Sequence, residues 1–364
     1  MNIELVRKID RIHPYPAKFT VDMALEYIEM YSKPGDTLYD PFVGSGTSLL
    51  AASMLNRQGI GTDINHIAIL IARFKLLHLS KKQLEELHGF IDSYESAYES
   101  GCRQVTPFYY KGIDHWFCSD AIMGLSYILS EIEKISDDQE KTFCRLVMSA
   151  IINTVSNQES DTRYAAIVKP DITAEKVAAV FIRKFRSILA VFEEYNELPR
   201  DTHATAVLLD SALCSQIAPE NSVDLILTSP PYVNTYDYYL YHKHRMNWLG
   251  YDVGFSMEKE IGSRREFSSL KHNEEKFSED LTRIFTECDK LLRPGGHVVL
   301  IIGDGRVAGK TYDAREHMIA ICEPIGWRLI DYKYTLLDKT SRSFQQSYRT
   351  KGKKEHILVF TKGG

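Results

Sequence analysis

Apolar positions fall into two rhythms along the 364 residues of the chain. In the first part, "DTLYDPF" (36–42) predicts a short strand, and "GSGTSLLAASMLN" predicts a glycine turn that opens a helix. "GIGTDIN" (59–65) predicts a second strand ending in Asp63, followed by the apolar helix "HIAILIARFKLL". Strand, helix, strand, helix at this spacing indicates parallel βαβ units. From about residue 80 to 200 the period becomes helical. "KKQLEELHGFIDSYESAYES", "AIMGLSYILSEIEKI", "KTFCRLVMSAIINTV" and "AEKVAAVFIRKFRSILAVFEEYN" each repeat their apolar residues every three or four positions.

The α/β rhythm then resumes. "TAVLLD" (205–210) and "VDLILTS" (223–229) predict strands, and "FSEDLTRIFTECDKLL" predicts a helix stopped by Arg293-Pro294-Gly295-Gly296. A strand "HVVLIIGD" (297–304), a helix near 314–324 and the strands "WRLIDYKYTLL" and "HILVFTK" complete the pattern. A long polar loop separates the last two strands, which are expected to pair as an antiparallel hairpin edge. The expected fold class is therefore α/β, a doubly wound, mostly parallel sheet. Its core spans 1–79 with 200–364, and a mainly helical insertion occupies 80–199. No internal repeat or low-complexity tract interrupts this organisation.

Composition narrows the setting. At 44% hydrophobic the chain can bury a sizeable core, and no apolar run approaches the roughly 20 residues of a membrane span. The opening MNIELVRKID lacks the apolar centre of a signal peptide. The six cysteines (102, 118, 144, 214, 288, 322) are scattered without a CxxC pair, so reduced thiols in a cytoplasmic protein are expected and no metal site. The net charge of −5 counts mildly against a polyanionic partner, which would have to be held by local basic patches.

Two motifs carry chemistry. The first is Asp40-Pro41-Phe42-Val43-Gly44-Ser45-Gly46-Thr47, between strand and helix, where glycines let a ligand approach the backbone. It departs from the dinucleotide pattern GxGxxG, because Leu49 stands at the third glycine position. Asp63, near 20 residues on, reads equally as an acceptor for ribose hydroxyls or as an ordinary helix cap. The second motif is Thr228-Ser229-Pro230-Pro231-Tyr232. Two successive prolines remove two backbone donors and fix two φ angles, between a hydroxyl and a phenol. Tyr236, Tyr238, Tyr239 and Tyr241 follow, either lining a pocket or packing the next helix.

Together, DPFVGSGT, GTDIN and TSPPY resemble the amino-methyltransferases that modify exocyclic amines of DNA bases with S-adenosylmethionine. "RIHPYPAKF" (11–19) and "LLRPGGHVVLIIGD" extend the resemblance over nearly all of the two α/β segments. It implies a Rossmann-like methyltransferase core. Ser229 and the carbonyl of Pro230, held by Pro231, would accept the hydrogens of the target amine, and Tyr232 would stack on a flipped base. Gly44, Ser45, Gly46 and Thr47, with Asp40, would receive the methionine moiety, Asp63 the ribose, and Phe42 the sulfonium or adenine. Asp210 would contact the adenine amine or cap the following turn. Lys18 would meet the cofactor carboxylate or stay a solvated surface lysine, while His13 orders its loop. His242 and His244 lack a carboxylate or cysteine at ligand spacing and read as packing or substrate contacts. Carbon-5 cytosine enzymes are excluded, because the chain has no Pro-Cys dipeptide.

The resemblance further implies double-stranded DNA as substrate, with a restriction endonuclease or another defence component as a candidate partner. Serine before the two prolines is commoner in cytosine-N4 enzymes of the family, while Asp or Asn there is commoner for adenine N6. Adenine N6 and an RNA base amine stay open, as does a binding module without catalysis. The glycine loop here precedes TSPPY, the reverse of the common serine-type order, which weakens the step from serine to cytosine. Basic residues Lys339, Arg342, Arg349 and Lys351, with Gln345 and Gln346, form a loop suited to phosphates and base edges, or to solubility alone. Arg264 and Arg265 in "IGSRREF" and the polar "SNQESDTRYA" (156–165) are further contact candidates. The helical insertion reads as a target-recognition region or as a structural cap.

Overall fold

The computed structural model describes residues 1–101, 104–200, 203–336 and 353–363. The chain forms two compact units. One is made of Pro16–Ala72, Arg200–Tyr239 and Gly254–Gly364, the other of Met1–Tyr15, Arg73–Pro199 and Leu240–Val253.

The first unit is built on a sheet whose strands are β1 (Thr37–Asp40), β2 (Gln58–Asp63), β3 (Thr205–Leu208), β4 (Val223–Thr228), β5 (Leu292–Gly303), β6 (Trp327–Leu336) and β7 (Lys354–Lys362). They lie in the order β6-β7-β5-β4-β1-β2-β3. β3, β2, β1, β4 and β5 run parallel, and β7 is antiparallel to both β5 and β6. The fold is thus a doubly wound, mostly parallel sheet closed by the expected antiparallel pair. β6 forms the edge, and β7 lies inside it. β4 reads as a nearly continuous apolar run because all its residues except Asp224 are buried, as a central parallel strand requires.

From β1 the chain winds outward through β2 to β3, then returns to the other side of β1 for β4 and β5. The winding reverses between β1 and β4, where Leu38 pairs with Leu225 and Tyr39 with Ile226. Sheets of this class form their ligand crevice beyond the carboxyl ends of the strands at such a point. The helix Glu274–Leu291 seals this part of the sheet with Phe277, Leu281, Ile284, Phe285, Cys288 and Leu291, a stripe at helical spacing. Instead of a turn before the next strand, Arg293–Gly296 bulges within β5. Val223 pairs with Leu292 and Leu225 with His297, and Gly295 takes up the excess chain at φ +72°.

The second unit is mainly helical. The helices Ser119–Glu133, Asp138–Ile152 and Ala174–Asn196 follow the apolar stripes expected of them. Their core is aromatic: Phe143 lies 5.4 Å from Phe74 and from Phe185, ring centre to ring centre, and Phe74 lies 5.2 Å from Phe192. The polar stretch near 160 forms a small hairpin, Gln158–Ser160 with Arg163–Ala166. The unit also draws in Met1–Tyr15 and Leu240–Val253, which the apolar rhythm alone assigned to the core. Asp10 shows why the first segment belongs there. Its carboxylate lies 2.8 Å from Lys75 Nζ, with the two side chains 5% and 0% exposed, so each neutralises a charge the interior would not tolerate alone. Among the described residues no helix is long and apolar enough to cross a membrane. Cys118, Cys144, Cys214, Cys288 and Cys322 are free thiols, all buried except Cys118.

Removing one partner of a buried ion pair leaves the other charge stranded. Asp10→Ala should therefore lower stability by about 3–5 kcal/mol, read as a shifted urea midpoint. The paired change Asp10→Leu with Lys75→Met should recover most of that loss.

Candidate active site

β1 ends in Asp40, which is 1% exposed. Its Oδ1 accepts from Thr228 Oγ1 at 2.6 Å and from the Phe42 N–H at 3.1 Å, and its Oδ2 accepts from the Ser48 hydroxyl. Burial pushes this carboxyl up to about 6 against the pull of those three donors. Asp40 thus lies beneath the glycine loop, tying it to the end of β4. Tyr39, Thr62 and Ser211 add a second brace: Thr62 Oγ1 is 2.8 Å from both the Tyr39 hydroxyl and Ser211 Oγ, and Ser211 donates to the Pro41 carbonyl.

The loop itself folds over these braces. Gly44 and Gly46 have φ of +48° and +78°, and a Cβ on Gly46 would sit 2.8 Å from Ala72 Cα. Only glycine meets both conditions at Gly46. Gly46 opens the helix Thr47–Met54 without a side-chain cap, with Ser45 and Thr47 each 3% exposed and Phe42 half-buried against the sheet core. Lys18 is half-buried next to Ala17, which takes the strained φ of +50°.

Beside the loop stands Asp63, at the end of β2. Its Oδ2 accepts from the Gly44 N–H at 2.9 Å and its Oδ1 from the Asn65 N–H at 2.8 Å. Burial pushes its carboxyl up to about 6. Asn65 caps the next helix through Oδ1, while its buried Nδ2 has no acceptor among the described residues. Asp210 caps the turn Ser211–Gln216 through Ala212 N at 3.0 Å, and its Oδ2 lies 3.8 Å from Lys259 Nζ. Glu260, 8% exposed, accepts from the Tyr238 and Tyr239 N–H groups at 2.6 and 3.1 Å. Burial first, then Asp237 and Asp63, push it up to about 8.

The donor set around the loop is therefore rich in carboxylates, with one buried amide N–H₂ left over. A ligand with positive charge and hydroxyl donors suits it, which S-adenosylmethionine has.

Directly after β4, Ser229 is half-buried, Pro230 buried, and Pro231 and Tyr232 half-buried. The Tyr232 hydroxyl donates to Glu355 Oε1 at 2.8 Å. Burial, followed by Glu355, holds the phenol well above its usual value, so it stays protonated. Tyr236 is buried 6.5 Å from the Tyr232 ring, and Tyr238 lies 5.6 Å beyond Tyr236.

The structure thus brings Asp40, Phe42, Gly44, Ser45, Gly46, Thr47, Asp63 and the Ser229–Tyr232 segment to the carboxyl ends of adjacent strands. Arg264 and Arg265 open the short helix Arg264–Ser268, where the Arg265 N–H donates to Asp237 Oδ1 at 3.1 Å. Lys339, Arg342, Gln345, Gln346, Arg349 and Lys351 lie outside the described residues. His242 and His244 are interior side chains of the helical unit, pushed down to about 3 mainly by burial. Tyr15 stacks 5.2 Å from His242, and Trp116 lies 4.7 Å from His244. His13 is likewise buried, between the Pro14 carbonyl at 2.8 Å and Ser149 Oγ at 2.9 Å. Sequence reasoning missed Asn65, Glu260 and Glu355. Asn65 was legible as a cap two residues past Asp63; the other two come from distant segments.

A family profile described as DNA methylase, of the N6/N4 methyltransferase type, matches residues 3–74 and 223–364, well over half of the chain. The type II methyltransferase M.MvaI of Kocuria varians is 25% identical over 78% of this chain and 72% of its own length. M.MjaII of Methanocaldococcus jannaschii is 19% identical over 95% and 80%. M.BsoBI of Geobacillus stearothermophilus is 25% identical over 69% of this chain, which spans 54% of that relative. The matched residues carry the glycine loop, Asp63 and the Ser-Pro-Pro-Tyr segment. The chain belongs to the DNA methylase family of N6/N4 amino-methyltransferases, and S-adenosylmethionine is its methyl donor.

Proposed function

We propose that this chain methylates the exocyclic amine of a base in double-stranded DNA, with cytosine N4 as the target and the base flipped out of the helix. The observation that carries this reading is the clamp at Asp40. One buried carboxylate binds both the glycine loop, through Phe42 N–H, and the strand end that presents Ser229, through Thr228.

Bound S-adenosylmethionine supplies an electrophilic methyl group on a sulfonium. The chain's own task is to hold an amine in line with it and exclude water, which accounts for much of such a rate. Ser229 Oγ and the Pro230 carbonyl accept the two amine hydrogens and favour the charge that develops on nitrogen. Pro231 keeps that carbonyl from turning away, since its ring removes one backbone rotation. Tyr232 receives the flipped base on its ring. On the cofactor side, Asp63 accepts the ribose hydroxyls, the loop Gly44–Thr47 and Lys18 receive the amino-acid end, and Phe42 supplies apolar contact. Asp210 and the Asn65 amide would serve the adenine. Arg264 and Arg265, with Lys339, Arg342, Gln345, Gln346, Arg349 and Lys351, supply DNA contacts. A neutral serine hydroxyl before the prolines favours cytosine N4, where adenine enzymes of the family more often carry Asp or Asn.

Duplex DNA of mixed sequence, incubated with methyl-labelled S-adenosylmethionine and digested to nucleosides, should yield labelled N4-methylcytosine. Label in N6-methyladenine would move the target to adenine, and label in RNA but not DNA would overturn the DNA reading. Ser229→Ala should slow methyl transfer about 10²-fold, as loss of one aligned hydrogen-bond partner does.

Asp63 also predicts a pH dependence. Its ligand-free carboxyl titrates at about 6, and the ribose hydroxyls need the ionised form as acceptor. Cofactor affinity should therefore hold above that pH and fall as pH drops through it, by up to about tenfold per pH unit. Isothermal titration of Asp63→Asn should show weaker binding at about pH 8 and a flatter profile. Slope left in that variant would come from Asp40, which titrates in the same range, and from Glu260, which titrates at about 8.

A further inference from the structure

The helix Ile3–Asp10 buries Leu5, Val6 and Ile9 on one side. On the other, Glu4, Arg7, Lys8 and, at the C-cap, Arg11 recur at helical spacing. The helix Ala174–Asn196 sets Lys184 and Ile188 beside them, and the two rows line one open groove of about 260 Å³. Both rows belong to the helical unit.

Four cations thus gather in this groove against one carboxylate, Glu4, which is already paired with Arg7. Lys8, Arg11 and Lys184 have no carboxylate partner among the described residues. Lys184 is half-buried, and burial pushes its ammonium down from its ordinary value. Other sheltered cations of the same unit are matched: Lys75 by Asp10, Arg245 by Asp161, Arg145 by Glu133. Two positions along from Lys184, the Arg186 guanidinium lies 2.9 Å from Asp92 and 2.6 Å from Glu95. Cations in a last helical turn also answer the carbonyl end of the helix dipole. That role reaches Lys8 and Arg11 but not Lys184, which stands in the middle of its helix.

We propose that this groove holds the phosphate backbone of duplex DNA, with Lys8, Arg11 and Lys184 as its contacts. The proposal rests on the duplex-DNA reading of the substrate given above. At a net charge of −5 the chain needs local cations to hold a polyanion. Separate ammonium and guanidinium groups along an open groove fit a run of phosphodiesters, each contact releasing counterions from the DNA. Contacts of this kind carry no base identity, so they add affinity to every sequence alike.

The test measures duplex DNA affinity by fluorescence anisotropy across a series of potassium chloride concentrations. It compares wild type, Lys184→Gln, Arg11→Gln, their double variant and Lys176→Gln, which alters an exposed lysine of the same helix outside the groove. Each groove change should weaken binding up to about tenfold near 0.1 M salt. It should also lower the slope of log affinity against log salt by about 1, and the double variant by about 2. The losses should be equal on duplexes of unlike sequence. Lys176→Gln should match wild type, and cofactor affinity and melting temperature should hold in every variant. A slope lost equally in Lys176→Gln would overturn the proposal. So would a lowered melting temperature with the slope intact, which would leave these residues a packing role. A wild-type melting temperature raised by inorganic phosphate, with the DNA slope the same in all variants, would make the groove a site for a free anion instead. If the wild type binds RNA but not duplex DNA, the substrate reading fails and the proposal with it. If it binds duplex DNA and the groove variants keep its slope, the groove alone fails.

Discussion

The buried carboxylate of Asp40 is the interaction on which the rest of the site depends. A charge that deep is costly, and burial does raise its pKa to about 6, yet three donors from three segments converge on it. Phe42 starts the glycine loop, Ser48 lies in the first turn of the next helix, and Thr228 closes β4. The loop and the Ser-Pro-Pro-Tyr segment are nearly 190 residues apart in the chain, and this carboxylate fixes their separation in space. Positioning of reactants needs such a rigid base, because small displacements cost catalysis steeply.

Above that base the two motifs are supported differently. The glycine loop is shaped by close approach: Gly46 against Ala72, and Gly44 drawn to Asp63. The Ser-Pro-Pro-Tyr segment is held at its far end by a single hydrogen bond, from the Tyr232 hydroxyl to Glu355 Oε1. Glu260 joins the two sides, since it caps the backbone at Tyr238 and Tyr239, just beyond the Ser-Pro-Pro-Tyr segment, and lies close enough to Asp63 to feel its charge. With Glu260 pushed up to about 8 and so largely protonated at neutral pH, the acidic character of the loop rests on Asp40 and Asp63, in a chain of modest net charge, −5. Nucleic-acid contact has to come from local basic groups instead, so global charge was a poor guide to the partner.

Most of the fold was legible in the apolar rhythm. Buried parallel strands such as β4 write themselves as branched apolar runs, and helices such as Glu274–Leu291 as stripes. Failures came where local pattern and tertiary pairing diverge. Arg293-Pro294-Gly295-Gly296 reads as a helix stop ahead of the strand 297–304, but neighbouring pairing absorbs it as a bulge in β5. The segment Gln158–Ala166 reads only as a polar contact candidate, because so short a two-stranded hairpin has too few residues to display alternation. The N-terminal helix Ile3–Asp10 carries no sign of its unit, which an ion pair with Lys75 reveals.

The sequence by itself determined the motifs that mark the candidate site: the glycine loop, the strand-ending Asp63 and the prolines between a hydroxyl and a phenol. These are local motifs, in which residue type and short spacing dictate backbone shape. Only the tertiary structure decided which distant groups complete them. Asp40 turns from a loop residue into a buried clamp, His242 and His244 become neutral interior side chains, and Glu355 meets Tyr232 across 123 positions. The physical reason is that burial, proton direction and charge pairing are properties of neighbours in space, set by sheet register rather than by adjacency along the chain.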